Sequence, residues 1–200
     1  MCDGLVISGT TAVFIESKGG FIRGDAKYGG DPAVLKAEID KKYVDPNGVF
    51  QIARSIAKAL RQPNRPLIRD VDLSGIRTVI PLLVTRDDVG DGFFVNSYLN
   101  SRFDEIRQTS NLNREIAPVH CTKLISVSVD IAEKLSPYLV DTRIGEILAG
   151  RLMADPLLLT PFFIKPPPCI VSKGDRPPTL LRSLQPELSR LAAKFLELVA

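Results

Sequence analysis

Two short apolar runs separated by small residues open the chain. One run covers residues 5–7 and the other covers residues 12–15. Both are rich in β-branched or aromatic side chains and are bounded by Gly, Ser and Thr, a pattern that predicts a β-hairpin. Gly9 would occupy the first position of a two-residue loop with Thr10, which suits a type II′ turn.

The length of this loop decides which side chains meet across the hairpin. A Gly9-Thr10 turn places Asp3 opposite Glu16, with Cβ atoms about 5 Å apart. Lys18 lies two residues beyond Glu16 and therefore on the same face. Three charged groups then converge at one end of an apolar hairpin. A three-residue loop at residues 9–11 would instead pair Asp3 with Ser17 and turn it away, so the convergence depends on the register.

Two opposed carboxylates repel each other unless a cation lies between them. A divalent metal is the direct solution, and magnesium typically takes one or two carboxylates together with water and phosphate oxygens. A neighbouring lysine can orient a water molecule or offset charge on a phosphate. The set of Asp3, Glu16 and Lys18 therefore suits metal-assisted hydrolysis of phosphodiester bonds.

An acid that leads one strand, followed by Glu-x-Lys on the next strand, resembles the PD-(D/E)XK superfamily of restriction-endonuclease-like nucleases. The resemblance covers residues 2–85 and implies that Asp3 and Glu16 bind Mg²⁺ (or Mn²⁺). It makes Lys18 the catalytic lysine. The family often places a polar residue, commonly Gln, on the following helix, and Gln51 in "GVFQIARSIAKAL" fits that position. DNA is the partner that the resemblance implies.

The triplet alone is not specific, because the chain contains three matches to it: Glu16-Ser17-Lys18, Asp25-Ala26-Lys27 and Asp40-Lys41-Lys42. The second match follows a glycine in a polar loop, and the third lies in a charged helical stretch. Only the first ends an apolar strand that follows an acid-led strand. The alternative interpretation is a hairpin whose end carries ordinary solvated charges.

One departure from the family concerns the start of the chain. Family members have a helix and a strand before the acid-led strand, whereas two residues precede Asp3 here. The expected fold is therefore α/β, a restriction-endonuclease-like mixed β-sheet flanked by helices, with the N-terminal helix and first strand missing. This departure favours a second hypothesis, a catalytically inactive nuclease-fold protein that acts as a binding or assembly module.

Two proline-led helices are expected after the hairpin. Asp31-Pro32 predicts a helix that reaches about Tyr43, with Val34, Leu35 and Ile39 inward. Asp45-Pro46 predicts the start of a second helix, whose apolar face carries residues at helical spacing: Val49, Ile52, Ala53, Ile56 and Leu60. The opposite face holds Gln51, Arg54, Lys58 and Arg61. The three basic side chains could contact a nucleic-acid backbone, but an ordinary solvated face is the interpretation that we favour.

Later segments predict further elements of an α/β core. Residues 77–85 predict a strand buried on both faces, in which Pro81 indicates a bulge or an edge position. Phe93 and Phe94 are expected to pack in the core rather than stack on bases. Asp130 and Glu133 fit a capping box for a helix. A helix is also expected over residues 143–153.

The predicted organisation is one domain with a short appendage. Residues 1–164 form the nuclease-like α/β domain, and residues 165–178 form a proline-rich connector. Residues 179–200 form an amphipathic helix that docks on the core or binds a protein partner.

Composition adds little to the functional argument. Apolar residues make up 44% of the chain and charged residues 24%, which is typical of a globular protein. The net charge of +3 is too small to establish nucleic-acid binding. The three cysteines are far apart and match no zinc spacing, so we expect them to be reduced, in the cytoplasm. No apolar run has the length needed to span a membrane, and no membrane partner is expected.

Overall fold

The computed structural model describes residues 2–61, 71–162 and 167–171. Within them the strands are β1 (Gly4–Ser8), β2 (Thr11–Lys18), β3 (Thr78–Thr85), β4 (His120–Cys121) and β5 (Ile125–Ser128). The helices are α1 (Gly24–Tyr28), α2 (Pro32–Ile39), α3 (Val49–Leu60), α4 (Val95–Thr109), α5 (Leu112–Glu115), α6 (Val129–Leu135), α7 (Ile144–Ala154) and α8 (Pro168–Val171). A π-helical segment, Asp40–Val44, follows α2, and 3₁₀ turns cover Asp88–Asp91 and Ser136–Val140.

The strands form one mixed open sheet in the order β1-β2-β3, with β4 and β5 both beside β3. β1 is antiparallel to β2, whereas β2, β4 and β5 run parallel to their β3 neighbour. Helices cover both faces of the sheet, so the chain is α/β, as the sequence predicts. The parallel strands bring the carboxyl ends of β2, β3 and β5 to one edge.

The register of the first hairpin is the predicted one. Ser8 pairs with Thr11, and Gly4 pairs with Ile15. Gly9 has φ +60°, whereas Thr10 is not among the residues with positive φ, as a type II′ turn requires. The two-residue loop is therefore confirmed, and the three-residue alternative is wrong.

Pro81 lies in a central strand and marks a bulge. β3 is paired on both sides, so the edge interpretation is wrong. The carbonyls of Arg77 and Val79 accept hydrogen bonds from the β4 side, and Pro81, two residues on, has no N–H to donate to that neighbour. The register shows one extra residue on the neighbouring side, because Val79 pairs with Cys121 but Leu82 pairs with Ile125. Within that segment the N–H of Leu124 donates to the side chain of Asn100 at 2.9 Å.

Alternate residues of β2 face two different apolar layers. Ala12 and Phe14 belong to a buried cluster that includes the inner face of α3. Val13 belongs to a second cluster, which it forms with residues of α6 and α7. Because side chains alternate along a strand, Glu16 shares the face of Ala12 and Phe14 and lies beneath α3.

The aromatic pair before α4 was wrongly predicted to pack in the core. Phe93 is 55% exposed and Phe94 65% exposed, and their ring centroids lie 6.4 Å apart. Phe94 has φ +64° at the N-terminal boundary of α4, which begins at Val95. The apolar residues that α4 buries come later, at Leu99 and Phe103.

Three local helix predictions also need correction. Asp31 caps α2 as expected, since its carboxylate accepts from the N–H of Ala33 at 2.8 Å, but Val34 is exposed. Asp45-Pro46 does not begin α3, which starts after Gly48. Ser128, not Asp130, caps α6, because its hydroxyl accepts from the N–H of Ile131 at 3.3 Å.

The predicted C-terminal helix at residues 179–200 lies outside the described residues. Of the predicted connector at residues 165–178, the structure describes only 167–171, which hold the short helix α8. Among the helices that the structure describes, none is long and apolar enough to cross a membrane.

Candidate functional site

The site predicted from the sequence lies where β2 ends, beneath α3. Glu16 is 1% exposed although it carries a carboxylate. Lys18 lies two residues further along the same face, and its Nζ is 2.5 Å from Glu16 Oε1. The structure therefore brings Glu16 and Lys18 together, as their spacing predicts.

Burial makes the Glu16 carboxylate costly to ionise. Loss of solvent raises its pKa most, and the nearby charge of Asp3 raises it further, while Lys18 acts in the opposite direction. The net pKa is above the ordinary 4.5 of glutamate. Within the described residues, the second oxygen, Oε2, is buried and has no hydrogen-bond partner. A buried carboxylate with one unsatisfied oxygen requires an explanation, and a bound ion or water is the usual one.

Asp3 lies at the same corner but is oriented differently from the prediction. It immediately precedes β1 and is exposed, and its Oδ2 accepts a hydrogen bond from the Ser17 N–H at 2.7 Å. The Asp3 carboxylate is therefore bound to a backbone N–H of β2 and does not point towards Glu16 as an unpartnered group. The cation that offsets the repulsion between the two carboxylates in this structure is the Lys18 ammonium.

Helix α3 forms the wall above Glu16. Gln51 is half-buried on α3, and Ser55, one turn later, is 4% exposed. Cys2 packs against the same cluster as α3, and its thiol donates to the Gly4 carbonyl at 3.3 Å. Burial raises the pKa of the thiol, the Glu16 carboxylate raises it further, and the Ser55 hydroxyl lowers it. Cys2 and Ser55 therefore belong to this corner.

Ser55 was not identified as a site residue from the sequence. Its Oγ is buried and makes no hydrogen bond of normal geometry within the described residues. The available signal was its position four residues after Gln51, at the border of the apolar face of α3. A serine there is a polar group directed inward.

The other two Asp-x-Lys matches are engaged in structural contacts. Asp25-Ala26-Lys27 lies in α1 rather than in a loop, and Lys27 pairs with Asp88 and with the buried Asp87, 3.0 Å away. Asp87 also accepts from the Ile22 N–H at 2.9 Å, which ties the end of β3 to the loop after β2. Asp40 accepts from the Tyr98 hydroxyl at 2.6 Å.

Two carboxylates at this corner, those of Glu16 and Asp3, are the groups that would hold a metal ion. Among the described residues, no group of three or more His, Cys, Asp and Glu side chains surrounds one point. Magnesium needs fewer protein ligands, because it keeps several waters and binds through one or two carboxylates. Among the described residues, Glu16 Oε2 is buried and unpartnered, and Asp3 lies just before the neighbouring strand β1.

Comparisons with protein-family models, curated protein sequences and solved structures each found no match for this chain. The fold and the site therefore define its class on their own: an α/β protein whose mixed sheet carries a buried Glu–Lys pair at the end of its second strand.

We expect Glu16→Gln to change how stability depends on pH. The folded-state pKa of Glu16 is raised, so the unfolded chain ionises this group at lower pH than the folded chain does. The free energy of unfolding of the wild type should therefore fall as pH rises above about 4.5, and that of Glu16→Gln should fall less. Urea unfolding from below pH 4.5 to about pH 8 measures this difference.

The matched control is Glu146→Gln, an exposed glutamate on α7. Its stability curve should run parallel to that of the wild type. Parallel curves for Glu16→Gln would show that the Glu16 carboxylate is not destabilised by burial.

Proposed function

We propose that this protein is a metal-dependent nuclease that hydrolyses DNA phosphodiester bonds at the Glu16–Lys18 corner. The observation that supports this most is the buried Glu16 carboxylate, whose Oε1 contacts Lys18 and whose Oε2 is unpartnered among the described residues. We also propose that the fold is of the restriction-endonuclease-like type. The antiparallel β1–β2 hairpin, the intervening α3 and the parallel β3 agree with the order that the resemblance implies.

Each residue of the corner has a separate role in this proposal. Glu16 and Asp3 hold Mg²⁺ (or Mn²⁺), and a bound divalent ion supplies Lewis-acid polarisation of a phosphoryl oxygen. Lys18 positions the attacking water and offsets negative charge on the phosphate. Gln51 and Ser55 provide polar groups on the α3 side, and Cys2 packs against the cluster beneath α3.

The raised pKa of Glu16 supports a cation-binding role. A carboxylate that is costly to ionise alone gains more from a second positive charge than a solvated one does. Lys18 compensates for only part of the burial, because the pKa remains above the ordinary value. The residual cost is the type of destabilisation that functional sites carry.

A second candidate is a nuclease-fold protein without catalysis that acts as a binding or assembly module. Two contacts favour it: Lys18 already lies against Glu16, and the Asp3 carboxylate already accepts from the Ser17 N–H. In this case the Glu–Lys pair stabilises the end of β2. The two candidates differ in whether a divalent ion binds.

We expect Mn²⁺ to bind wild-type protein weakly and to bind Glu16→Gln and Asp3→Asn more weakly still. Both variants remove a charge, while the amide oxygen that Asp3→Asn introduces can still accept from the Ser17 N–H. Isothermal titration calorimetry with Mn²⁺ and with Mg²⁺ measures the affinities.

Asp25→Asn is the control for this titration, since Asp25 is exposed and belongs to the triplet in α1. It should bind metal as the wild type does. Equal affinities for wild type, Glu16→Gln and Asp3→Asn would eliminate this metal site and leave the binding module as the better proposal.

A further inference from the structure

A polar cavity of about 670 Å³ lies beside α3. Its walls come from the outer side of α3 and from the end of α4 and α5, and they include Phe50, Gln51, Arg54, Lys58 and Glu115. Its volume falls within the 300–1,000 Å³ that is typical of ligand sites. The proposed catalytic roles at Glu16 do not account for this cavity.

The α3 wall of the cavity carries one continuous polar stripe. Gln51, Arg54, Lys58 and Arg61 follow one another at spacings of three and four residues, which places them along one side of the helix. Arg61 is held by Glu115 at 2.8 Å. Neither Arg54 nor Lys58 forms an ion pair with any residue that the structure describes, and both are exposed.

Arg54 is partly ordered by a contact within the cavity. Its guanidinium carbon lies 5.7 Å from the centroid of the Phe50 ring, which is within cation–π range. The guanidinium is therefore positioned without an acid to neutralise it among the described residues. An uncompensated cation in a concave site attracts an anionic ligand.

Ser55 connects this cavity to the candidate catalytic corner. It lines the cavity from α3. Ser55 is also 4% exposed, on the helix whose inner face packs against Phe14 of β2, two residues before Glu16. The polar stripe therefore lies on the same helix that covers Glu16.

We propose that this cavity binds the backbone of a single nucleic-acid strand, with phosphates on Arg54 and Lys58, and directs that strand to the Glu16–Lys18 corner. This inference rests on the proposed nuclease function. It goes further by naming the substrate form: a single strand or an unpaired end, not an intact duplex.

The dimensions of the cavity decide between the two forms of DNA. The stripe from Gln51 to Arg61 spans about 15 Å at 1.5 Å per residue. Over that length, 670 Å³ corresponds to about 45 Å² in cross-section. Because the wall atoms lie about 1.4 Å beyond this volume on each side, the groove is roughly 10 Å across. A duplex is wider than its major groove of about 12 Å and does not fit within such a groove. A single strand does.

The test measures binding separately from cleavage. A short fluorescein-labelled single-stranded DNA is titrated with the 200-residue protein in EDTA, by fluorescence anisotropy, over a range of salt concentrations. Arg54→Ala/Lys58→Ala should weaken binding. It should also make the slope of log K against log salt shallower by about 1.4, because each phosphate contact on a single strand contributes about 0.7.

The matched control is Lys134→Ala/Arg143→Ala. These two exposed bases lie on α6 and just before α7, on the other side of the sheet. The control should keep the wild-type affinity and slope. Equal losses in the two double variants, or no loss in Arg54→Ala/Lys58→Ala, would overturn the proposal, as would tighter binding of the matching duplex through Arg54 and Lys58.

Failure of this inference can be distinguished from failure of the proposed function. Strand binding that depends on Arg54 and Lys58, without cleavage in Mg²⁺, would support the cavity proposal and eliminate the nuclease. Cleavage in Mg²⁺ that is unchanged by Arg54→Ala/Lys58→Ala would support the nuclease and eliminate the cavity proposal. Absence of any strand binding in EDTA would also overturn the cavity proposal.

Discussion

Lys18→Ala should reduce magnesium-dependent nicking of plasmid DNA by about 10²-fold or more. Lys18 provides a positive charge that matters most as negative charge develops on the phosphate, and loss of one such group typically costs 10²–10³ in kcat. The rate constant should therefore fall more than the affinity for DNA weakens. Lys18→Arg should restore the rate only in part, because a planar guanidinium does not reproduce a compact ammonium.

The structure requires a stability control for this variant. Lys18 is the partner of a carboxylate that is 1% exposed, so its removal leaves a buried charge uncompensated. Lys18→Ala should therefore be less stable than the wild type near neutral pH, and adding Glu16→Gln should recover much of that loss without recovering activity. Lys134→Ala, on the exposed side of α6, should retain full activity. Nicking that persists in Lys18→Ala would assign the activity to another site or to a contaminant.

The corner of the hairpin could be predicted from the sequence because a single local choice determined it. Gly9 fixes a two-residue loop, the loop fixes the register, and the register brings Asp3 to the end of β2 that carries Glu16. Glu16 and Lys18 share a face because they are two residues apart on one strand. Period-two alternation then determines which layer each side chain enters. The buried face of α3 could be predicted because it is also determined locally. Apolar residues recur at helical spacing over three turns, and that spacing alone defines the face.

Features that depend on tertiary contacts could not be predicted in this way. The Phe93 and Phe94 side chains form a strongly apolar pair, yet the chain turns at Phe94 and leaves both exposed. Asp130 was predicted to cap α6, but Ser128 does so, because β5 delivers it in an extended conformation beside the Ile131 N–H. Hydrophobicity and motif spacing carry no information about either outcome.

The site residues that the sequence did not identify, Cys2 and Ser55, also depend on tertiary contacts. Cys2 and Ser55 are far apart in sequence, and only the packing of α3 on β2 brings both near Glu16. The depth at which Glu16 is buried also depends on that packing. Sequence spacing placed the two charges side by side, but it could not show that one of them would be removed from solvent.

Asp155→Ala should destabilise the fold by about 3–5 kcal/mol, the typical effect of removing one partner of a buried ion pair. Arg151 on α7 is 0% exposed, and its Nη2 lies 3.1 Å from Asp155 Oδ2. The same oxygen accepts from the Thr160 N–H at 3.0 Å and from the Thr160 hydroxyl at 2.7 Å. Urea unfolding at neutral pH, followed by circular dichroism, measures the loss.

Two comparisons make this result specific to the buried pair. Arg151→Met/Asp155→Ala should be more stable than Asp155→Ala alone, because no guanidinium then remains buried without its carboxylate. Glu105→Ala, which breaks an exposed pair with Arg102 on α4, should cost less than about 1 kcal/mol.

The same pair predicts a dependence on acid. Burial raises the pKa of Asp155, but the hydrogen bonds from Thr160 and the charge of Arg151 outweigh it and hold the pKa at about 2. Its stabilising contribution is therefore complete above the ordinary value of 3.8 and disappears as pH falls through about 2. The difference between wild type and Asp155→Ala should shrink over that interval. A difference that stays constant down to pH 2 would mean that the Asp155 charge does not stabilise the loop after α7.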